Sequence, residues 1–270
     1  MAAGDDARVS IHDLRAAKRQ GQSFAVLTAY DHPTARILDD AGIPVLLVGD
    51  SVGTAVLGYD STIPVTLEEM LHHVSAVARG AHRALVVADM PFGSYQAGED
   101  AAMANAVRLL KEGGANAVKI EGGGPSVALT RRLTQAGVPA MGHVGLTPQS
   151  VNQLGGHRVQ GRDAGAGQRI LADAQALAEA GAFAVVLECV PADLGRAVTE
   201  AVDVPTIGIG AGAGCDAQVL VLHDLLGLTS GPKPRFVKAY AHLREHIADA
   251  AKAFQAEVRD GDYPGPEHTY

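Results

Sequence analysis

The segment ALVVADM, at residues 84–90, is a short and almost continuous apolar run with a carboxylate, Asp89, near its end. Seven other short, largely apolar runs occur along the chain. Such runs, without strict alternation of apolar and polar residues, are typical of parallel strands buried on both faces. The other runs are FAVLTAY (24–30), VLLVGD (45–50), AVKIEG (117–122), PAMGHVG (139–145), AVVLECV (184–190), PTIGIGA (205–211) and QVLVLHDLL (218–226).

Helical patterns fill the intervals, with apolar residues three and four positions apart and Ala-Gly or Gly-Gly at several ends. Examples are ARILDDAG (35–42), LEEMLHHVSAVARG (67–80), EDAAMANAVRLLKEGG (99–114), ILADAQALAEAGA (170–182) and PADLGRAVTEAV (191–202). Eight strand–helix units predict an α/β fold, a (β/α)8 TIM barrel that forms one domain over residues 1–270. An open doubly wound sheet is the alternative. Closure is favoured because no residues remain for a second domain.

Three segments depart from this repeat. SIHDLRAAKRQG (10–21) predicts an extra N-terminal helix that plugs the bottom of the barrel or meets a partner. LTPQSVNQLGGHRVQGR (146–162) follows the fifth strand and predicts a lid or binding loop over the barrel mouth. Near the C-terminus, residues 234–258 predict one long helix, and residues 259–270 predict an extended arm.

The composition argues against several classes of partner. The net charge is −8, and the chain has no Trp and no basic patch with interleaved aromatic residues, which argues against nucleic acid. No apolar window approaches the roughly 18 to 20 residues that span a bilayer. The N-terminus MAAGDDARVS has acids where a signal peptide has bases. The two cysteines form no disulfide framework or zinc-ligand spacing, so we expect a soluble cytoplasmic protein.

Polar side chains stand where five consecutive apolar runs end. They are Asp50 at the end of the second run and Ser51 directly after it, Asp89 in the third, Lys119 and Glu121 in the fourth, His143 in the fifth and Glu188 in the sixth. In a parallel barrel the carboxyl ends of all strands open to one mouth, where active sites lie. Charged groups are rarely buried unless they are paired or ligated. The pattern therefore predicts a functional site at this mouth.

The three acids of the second to fourth runs predict a metal site. Asp50, Asp89 and Glu121 offer hard oxygen donors, which suit Mg²⁺ better than zinc. A structural ion pair with Lys119 is the alternative reading of these carboxylates. Because strand side chains alternate between faces, Lys119 and Glu121 share one face. Lys119 then either holds a substrate carboxylate or balances the acids.

Two further features of the mouth allow more than one interpretation. Glu188 has apolar neighbours that favour proton acceptance by a general base, although a structural ion pair is possible there too. His143 is either a hydrogen-bonded core residue or part of the site. GIGAGAG (208–214) fits a dinucleotide pattern only from Gly208 and lacks the following acid. A tight turn where the backbone approaches a ligand is the better interpretation.

Seven strings spread over nearly the whole chain carry a more specific signal. They are TAYD (28–31), LLVGDS (46–51), VVADMPFGSY (86–95), AVKIEGG (117–123), GHVGLTPQSVNQLGGHRVQGR (142–162), LECVP (187–191) and IGIGAG (207–212). Together they resemble the motifs of the ketopantoate hydroxymethyltransferase family. The chain departs from the family pattern in VQGRDAGAG (159–167) and at Ala217 of CDAQ, which affects the shape of loops rather than the matched site residues.

The resemblance implies a phosphoenolpyruvate/pyruvate-type TIM barrel and a defined reaction. A hydroxymethyl group passes from 5,10-methylenetetrahydrofolate to 3-methyl-2-oxobutanoate, giving 2-dehydropantoate in pantothenate biosynthesis. The matched positions imply that Asp50 and Asp89 bind Mg²⁺, with Glu121 as the third acid of the metal site. They also imply that the keto acid contacts Asp50, Ser51, Asp89 and Lys119, and that Glu188 accepts the proton. His143 is added to the expected substrate-binding residues because it lies among these acids.

The resemblance also implies partners and leaves alternatives. It implies small-molecule substrates and a homo-oligomer, with decamers common in the family, and neither nucleic acid nor membrane. An isocitrate lyase-like, Mg²⁺-dependent keto-acid enzyme would share the barrel, but the cysteine-bearing loop motif of such enzymes is not found. A non-catalytic ligand-binding barrel predicts loss of the strand-end acids, and all of them are present.

Overall fold

The computed structural model describes residues 7–231 and 233–270. Eight parallel strands close into a barrel in chain order, and the last strand pairs with the first. The strands are β1 (Phe24–Thr28), β2 (Val45–Val48), β3 (Leu85–Asp89), β4 (Ala117–Glu121), β5 (Ala140–Gly145), β6 (Ala184–Glu188), β7 (Thr206–Ile209) and β8 (Ala217–Leu220). The closed barrel confirms the predicted (β/α)8 fold, and the open-sheet alternative is wrong.

Helices precede, connect and follow these strands. They are α1 (Ile11–Arg19), α2 (His32–Asp40), α3 (Leu67–Gly80), α4 (Glu99–Lys111), α5 (Pro125–Gln135), α6 (Val151–Leu154), α7 (Ala164–Glu179), α8 (Ala192–Ala201), α9 (Leu222–Leu225) and α10 (Leu243–Asp260). Short helical turns add Gly53–Leu57, Pro148–Ser150 and Pro266–His268. None of the helices in the described part of the chain is long and apolar enough to cross a membrane.

The start of α3 shows how local sequence sets an element boundary. The Thr66 side chain accepts a hydrogen bond from the Glu69 N–H, and the Glu69 carboxylate accepts one from the Thr66 N–H at 2.7 Å. This reciprocal cap satisfies backbone donors that the first helical turn leaves open. As a result, α3 covers the predicted residues 67–80.

The inside of the barrel changes from apolar to polar along the strands. Because side chains alternate with period two, every second residue of a strand faces inward. In the lower part of the barrel, towards the amino ends of the strands, the inward residues are apolar and include Leu85, Val87, Ala117, Met141, Ala184 and Val186. The residues that continue this two-residue spacing along the same strands are Asp89, Lys119, Glu121, His143 and Glu188. The polar residues therefore lie at the carboxyl ends of the strands, above an apolar interior.

Helix α1 closes the lower end of the barrel. Leu14 and Ala17 are buried in the same cluster as Phe24 and Ala217, which begin β1 and β8. The Lys18 ammonium donates to an Asp216 carboxylate oxygen at 2.9 Å. Of the two roles expected for this segment, the structure confirms the plug.

The chain divides into two compact units, whose described residues are 7–220 in the first and 221–231 with 233–270 in the second. All eight strands lie in the first unit. The prediction that residues 1–270 form a single domain stays a prediction.

Two expectations for the C-terminal part of the chain, from residue 218 onward, are wrong. The apolar run predicted as a strand over 218–226 ends at Leu220, and Leu222–Leu225 forms a helical turn instead. The long C-terminal helix begins at Leu243 rather than near residue 234. Before that point, the Tyr240 N–H donates to the Leu225 carbonyl at 2.8 Å, so it does not make the i to i−4 bond of a helix.

Candidate active site

The predicted strand-end residues meet at the barrel mouth. Asp50, Asp89, Lys119, Glu121 and His143 are each at most 5% exposed. The strand register places Asp89 beside Lys119 and Glu121 beside His143. Charged side chains are buried at such depth only when they are paired or ligated. The mouth therefore holds one connected cluster of charged groups.

Lys119 is the cation at the centre of this cluster. Its Nζ lies 2.6 Å from Asp89 Oδ1 and 3.4 Å from Glu121 Oε1. Burial alone would lower the pKa of Lys119, but the carboxylates of Asp89, Glu121 and Asp50 outweigh it and raise that pKa above its usual value. The ion pair that the sequence offered as an alternative to metal binding thus forms in the structure.

Asp50 and Asp89 are two adjacent carboxyl groups whose charged forms are disfavoured by burial. The Asp50 N–H donates to Asp89 Oδ2 at 3.3 Å, so the two residues are adjacent. Burial raises the pKa of Asp50 well above its usual range, and repulsion from Asp89 and Glu121 adds to the effect. Burial also raises the pKa of Asp89, although Lys119 opposes this. A bound cation would relieve both effects.

The donor arrangement fits Mg²⁺ but is not a preformed cage. Within residues 7–231 and 233–270, no group of three or more His, Cys, Asp or Glu side chains is arranged to enclose a metal ion. Lys119 draws Asp89 and Glu121 towards itself instead. Mg²⁺ commonly takes only one or two protein carboxylates, together with water and substrate oxygens. Asp50 and Asp89, which are buried and adjacent, suit that pattern.

Both oxygens of Glu121 already have partners. Oε1 faces Lys119 and also lies 3.2 Å from His143 Nδ1, while Oε2 accepts the Gln149 N–H at 3.1 Å. Burial would raise the pKa of Glu121, but Lys119 and His143 lower it to about 2. Glu121 is therefore ionised at neutral pH and is held in place by the protein.

His143 connects Glu121 with Glu188. Its Nε2 lies 3.2 Å from Glu188 Oε2, on the opposite side of the ring from Glu121. Burial and Lys119 would lower the pKa of His143, but Glu121 and Glu188 raise it to about 9. Because neither ring nitrogen has an aligned hydrogen bond among the described residues, these are contacts between charges. The ring is an imidazolium at neutral pH.

Glu188 is the most open carboxylate of the cluster. Its side chain is 17% exposed, against 3% for Glu121 and Asp89. The apolar surroundings expected from the sequence are incomplete, because the charged His143 ring contacts this carboxylate. A carboxylate that solvent can reach is suited to accept a proton.

The turn after Glu188 is held firmly. Cys189 has a φ of 48°, and among the described residues no other non-glycine residue has a positive φ. Its N–H donates to the Ile209 carbonyl and its carbonyl accepts the Gln160 N–H, both at 2.8 Å. These two bonds hold Cys189 in a conformation that is unfavourable for a residue with a side chain. They also link the end of β6 to β7 and to the loop after β5.

Ser51 lies beside the acids with a fixed hydroxyl. Its Oγ is 2.8 Å from the Tyr30 hydroxyl. Burial raises the pKa of Tyr30 to about 12, so the phenol keeps its proton at neutral pH. Tyr30, part of the TAYD string, can therefore orient the Ser51 hydroxyl.

The glycine-rich segment after β7 forms a tight turn, as expected. Gly210 and Gly212 have φ values of 65° and 81°. A Cβ on Gly212 would lie 2.5 Å from Ala192 Cβ. The close approach that requires glycine at this position is to the first residue of α8.

Sequence reasoning missed two polar residues of the site. Gln149 is 3% exposed and donates through Nε2 to Asp50 Oδ2 at 2.9 Å. The Tyr95 hydroxyl donates to Gln149 Oε1 at 2.7 Å. Gln149 lies in TPQSVN and Tyr95 in MPFGSY, which are parts of the strings that resemble the family motifs. Their place in these strings was the one signal in the sequence that could have identified them. The predicted lid (146–162) thus begins as a buried part of the site.

Fold and site together define a class: a TIM barrel with buried carboxylates and a lysine at its mouth. Phosphoenolpyruvate phosphomutase from Streptomyces platensis subsp. rosaceus is similar, with a TM-score of 0.62, 17% identity, and coverage of 95% of this chain and 92% of that chain. 2,3-Dimethylmalate lyase, a PEP mutase/isocitrate lyase superfamily member, has a TM-score of 0.60 at 18% identity, covering 96% and 88%. At these identities the likeness concerns the fold alone, and that fold is the predicted TIM barrel.

The family follows from sequence comparison. The model of ketopantoate hydroxymethyltransferase matches residues 8–266. The 3-methyl-2-oxobutanoate hydroxymethyltransferase of Carboxydothermus hydrogenoformans is 56% identical, over 97% of this chain and 95% of the relative. The enzyme of that name from Frankia casuarinae is 59% identical, over 97% and 88%. The chain belongs to the ketopantoate hydroxymethyltransferase family.

Family membership confirms that the chain is an enzyme, a hydroxymethyltransferase. The relatives match it over nearly its whole length, so the assignment applies to the barrel that carries the site. It replaces both alternatives, the isocitrate lyase-like enzyme and the non-catalytic barrel.

Proposed function

We propose that the chain transfers a hydroxymethyl group from 5,10-methylenetetrahydrofolate to 3-methyl-2-oxobutanoate, giving 2-dehydropantoate for pantothenate biosynthesis, with Mg²⁺ in the site. The name of its relatives supports the keto-acid substrate. The observation that carries the proposal is the pair Asp50 and Asp89, two carboxyl groups that are buried and adjacent at the barrel mouth.

Asp50 and Asp89 are the proposed metal ligands. Glu121 has both oxygens engaged by the protein, which supports a role as a third acid that acts through water. When bound, Mg²⁺ supplies Lewis-acid stabilisation of negative charge on the keto oxygen of the substrate. Ser51 and the Lys119 ammonium are the proposed polar contacts for the keto acid, together with Asp50 and Asp89, and His143 borders them.

Glu188 is the proposed base. It takes the proton from the carbon next to the ketone, and the C–H electron pair moves into a C–C double bond while the ketone oxygen gains negative charge. Water releases the one-carbon unit from the folate at the level of formaldehyde: both C–N bonds break, and each nitrogen keeps its electron pair and takes up a proton from the water. The substrate carbon then attacks this carbonyl carbon and forms the new C–C bond while the C=O electron pair moves to oxygen. That oxygen takes up the proton removed from the substrate and becomes the hydroxyl group of the product. The His143 ring, whose Nε2 lies 3.2 Å from Glu188 Oε2, holds the carboxylate in place for this step.

Exchange of the substrate hydrogen with solvent tests Glu188 directly. In D₂O with Mg²⁺, NMR should show wild-type protein exchanging the hydrogen on C3 of 3-methyl-2-oxobutanoate without folate. We expect Glu188→Gln to lower this rate by at least about a hundredfold, the usual contribution of a general base, with keto-acid binding retained in calorimetry. The exposed Glu200 of α8 gives the matched control, Glu200→Gln. Wild-type exchange in Glu188→Gln would refute the role.

The reaction itself needs a product assay. Purified protein, 3-methyl-2-oxobutanoate and 5,10-methylenetetrahydrofolate should yield 2-dehydropantoate with Mg²⁺, and none when EDTA is added or folate is omitted. Formation of product with EDTA present would contradict the metal role. A lack of product in all mixtures, with keto acid bound, would contradict the proposed transfer.

The resemblance to the family further supports a cytoplasmic homo-oligomer, with the decamer as the expected form. Apolar side chains exposed on α10, Ile247, Phe254 and Val258, are consistent with contacts between copies. Light scattering tests this, since ten chains of 27.8 kDa give 278 kDa. A measured mass of 27.8 kDa, that of a monomer, at micromolar concentration would contradict the expected homo-oligomer.

A further inference from the structure

Gln149 makes contacts that the proposed chemistry does not use. Its side chain lies buried at the mouth, in the short helical turn Pro148–Ser150 after β5. One hydrogen bond runs from Nε2 to Asp50 Oδ2, and a second runs from Nε2 to the Met90 carbonyl, both at 2.9 Å. Both N–H groups of the amide are therefore used, and one of them is directed at a proposed metal ligand.

The surrounding network fixes which end of the amide faces Asp50. The Tyr95 hydroxyl accepts the Glu121 N–H at 3.2 Å, so its own proton is free to go to Gln149 Oε1 at 2.7 Å. If the amide were flipped, its NH₂ group would face the Tyr95 hydroxyl and its oxygen would face two acceptors, Asp50 Oδ2 and the Met90 carbonyl. The observed orientation alone satisfies all of these groups.

The backbone of Gln149 reaches a second acid of the site. Its N–H donates to Glu121 Oε2 at 3.1 Å. One residue thus contacts Asp50 through its side chain and Glu121 through its main chain. Since Asp50 follows β2 and Glu121 ends β4, Gln149 connects the acids from outside the barrel strands.

We propose that Gln149 is a positioning residue for the metal site. Its amide donates a hydrogen bond to Asp50 Oδ2 and thereby restrains rotation of the carboxylate. The other carboxylate oxygen of Asp50 stays available to Mg²⁺. The inference rests on the proposed function, because it needs Asp50 to be a ligand. Mg²⁺ demands near-octahedral geometry, so a freely turning carboxylate binds it less well. Groups that orient a metal ligand by hydrogen bonding typically contribute 10- to 100-fold to affinity.

Titration calorimetry with Mg²⁺ alone tests this on the full-length protein. Gln149→Met keeps the length of the side chain and removes the amide. We expect about tenfold weaker Mg²⁺ binding in this variant. Gln153, exposed four residues further along the same loop, provides the control Gln153→Met, which should bind Mg²⁺ as the wild type does. Gln149→Asn keeps an amide one carbon too short to reach Asp50 and should behave like Gln149→Met, so it replaces that variant if folding fails.

A kinetic readout separates positioning from a structural role. In the hydrogen-exchange assay, the Mg²⁺ concentration for half-maximal rate should rise about tenfold in Gln149→Met. The rate at saturating Mg²⁺ should return to within about twofold of the wild type, because the amide acts through Asp50. A purely structural loss would lower the maximal rate and leave that concentration unchanged, and this result would overturn the inference.

The outcomes also distinguish this inference from the proposed function. If the wild type binds Mg²⁺, Asp50→Ala does not, and Gln149→Met binds as tightly as the wild type, then Gln149 has no positioning role and the metal site stands. If the wild type binds no Mg²⁺ with keto acid present, the proposed metal site fails and the inference fails with it.

Discussion

At the scale of single residues, the charges at the mouth depend on one another. Lys119 pairs with Asp89 and Glu121, and His143 lies between Glu121 and Glu188. All but Glu188 are almost fully buried. Removing one member of such a buried group leaves its partner uncompensated.

Lys119→Met should therefore destabilise the metal-free protein by about 3–5 kcal/mol at pH 8. The loss should be smaller at pH 5, because without Lys119 the pKa of Asp89 rises further and protonation then relieves the buried charge. Urea unfolding in EDTA at both pH values measures this. Lys111→Met, at an exposed position of α4, is the control and should change little. An equal loss at both pH values would contradict the charge argument.

His143 gives the metal-free protein a pH-dependent stability. Its pKa of about 9 in the folded state exceeds the ordinary 6.5, so its stabilisation is complete below pH 6.5 and is lost as pH rises to 9. With about 1.4 kcal/mol per pKa unit, the full effect is on the order of 3 kcal/mol. We expect the difference in unfolding free energy between wild type and His143→Gln, in EDTA, to shrink from pH 6 to pH 9. A constant difference would show that the ring is neutral throughout.

The acids at the mouth were predictable from sequence, whereas Gln149 was not. Asp89, Lys119 and Glu121 follow from strand periodicity, since an inward residue near the end of a parallel strand has its position set by its own strand. The position of Gln149 depends on how the loop after β5 turns back, and two long-range bonds, to Asp50 and to Glu121, determine that turn. Local pattern carries no information on such bonds.

At the scale of elements, α1 and α10 differ in what fixes them. Leu14 and Ala17 on α1 are buried against the start of the strands. No residue of α10 is buried. Its start at Leu243, rather than near residue 234, coincides with a bond from the Leu243 N–H to the Leu226 carbonyl, 17 positions away. The helical periodicity of the sequence could not reveal that hydrogen bond. The cap of α3, in contrast, is formed by residues within a four-residue stretch, Thr66 to Glu69, and a local motif predicts it.

The burial of helix α1 at the lower end of the barrel leads to a prediction about stability. Leu14 has no exposed surface, so Leu14→Ala should cost about 2–5 kcal/mol, the range for removing a buried leucine side chain. His12→Ala, on the exposed side of the same helix, should change the unfolding free energy by less than about 0.5 kcal/mol. Urea unfolding of both variants is the measurement. A loss below 1 kcal/mol for Leu14→Ala would mean that α1 is not part of the cooperative barrel core.

At the scale of the whole molecule, function and stability oppose each other at the mouth. Burial and neighbouring acids raise the pKa of Asp50, so its charged form destabilises the metal-free barrel. The proposed metal compensates for that charge. The protein should therefore depend on Mg²⁺ for part of its stability.

Asp50→Asn tests this opposition. In EDTA the variant should unfold at a higher urea concentration than the wild type, because a buried charge is gone while the Gln149 N–H keeps an oxygen acceptor. In Mg²⁺ the wild type should gain about 2.7 kcal/mol at a hundred times Kd, and Asp50→Asn should gain nothing. Equal stabilisation of both proteins by Mg²⁺ would place the ion elsewhere.

The change from apolar to polar along the inside of the barrel has a consequence for its evolution. The lower apolar layer and α1 carry the packing, while the last inward residue of each strand and the loops beyond it carry the chemistry. Substitutions near the carboxyl ends of the strands can alter reactivity without disturbing the apolar packing that stabilises the fold. Laboratory selection for activity on a new keto-acid substrate should therefore accumulate substitutions near the strand ends, and the residues of the lower apolar layer should stay unchanged.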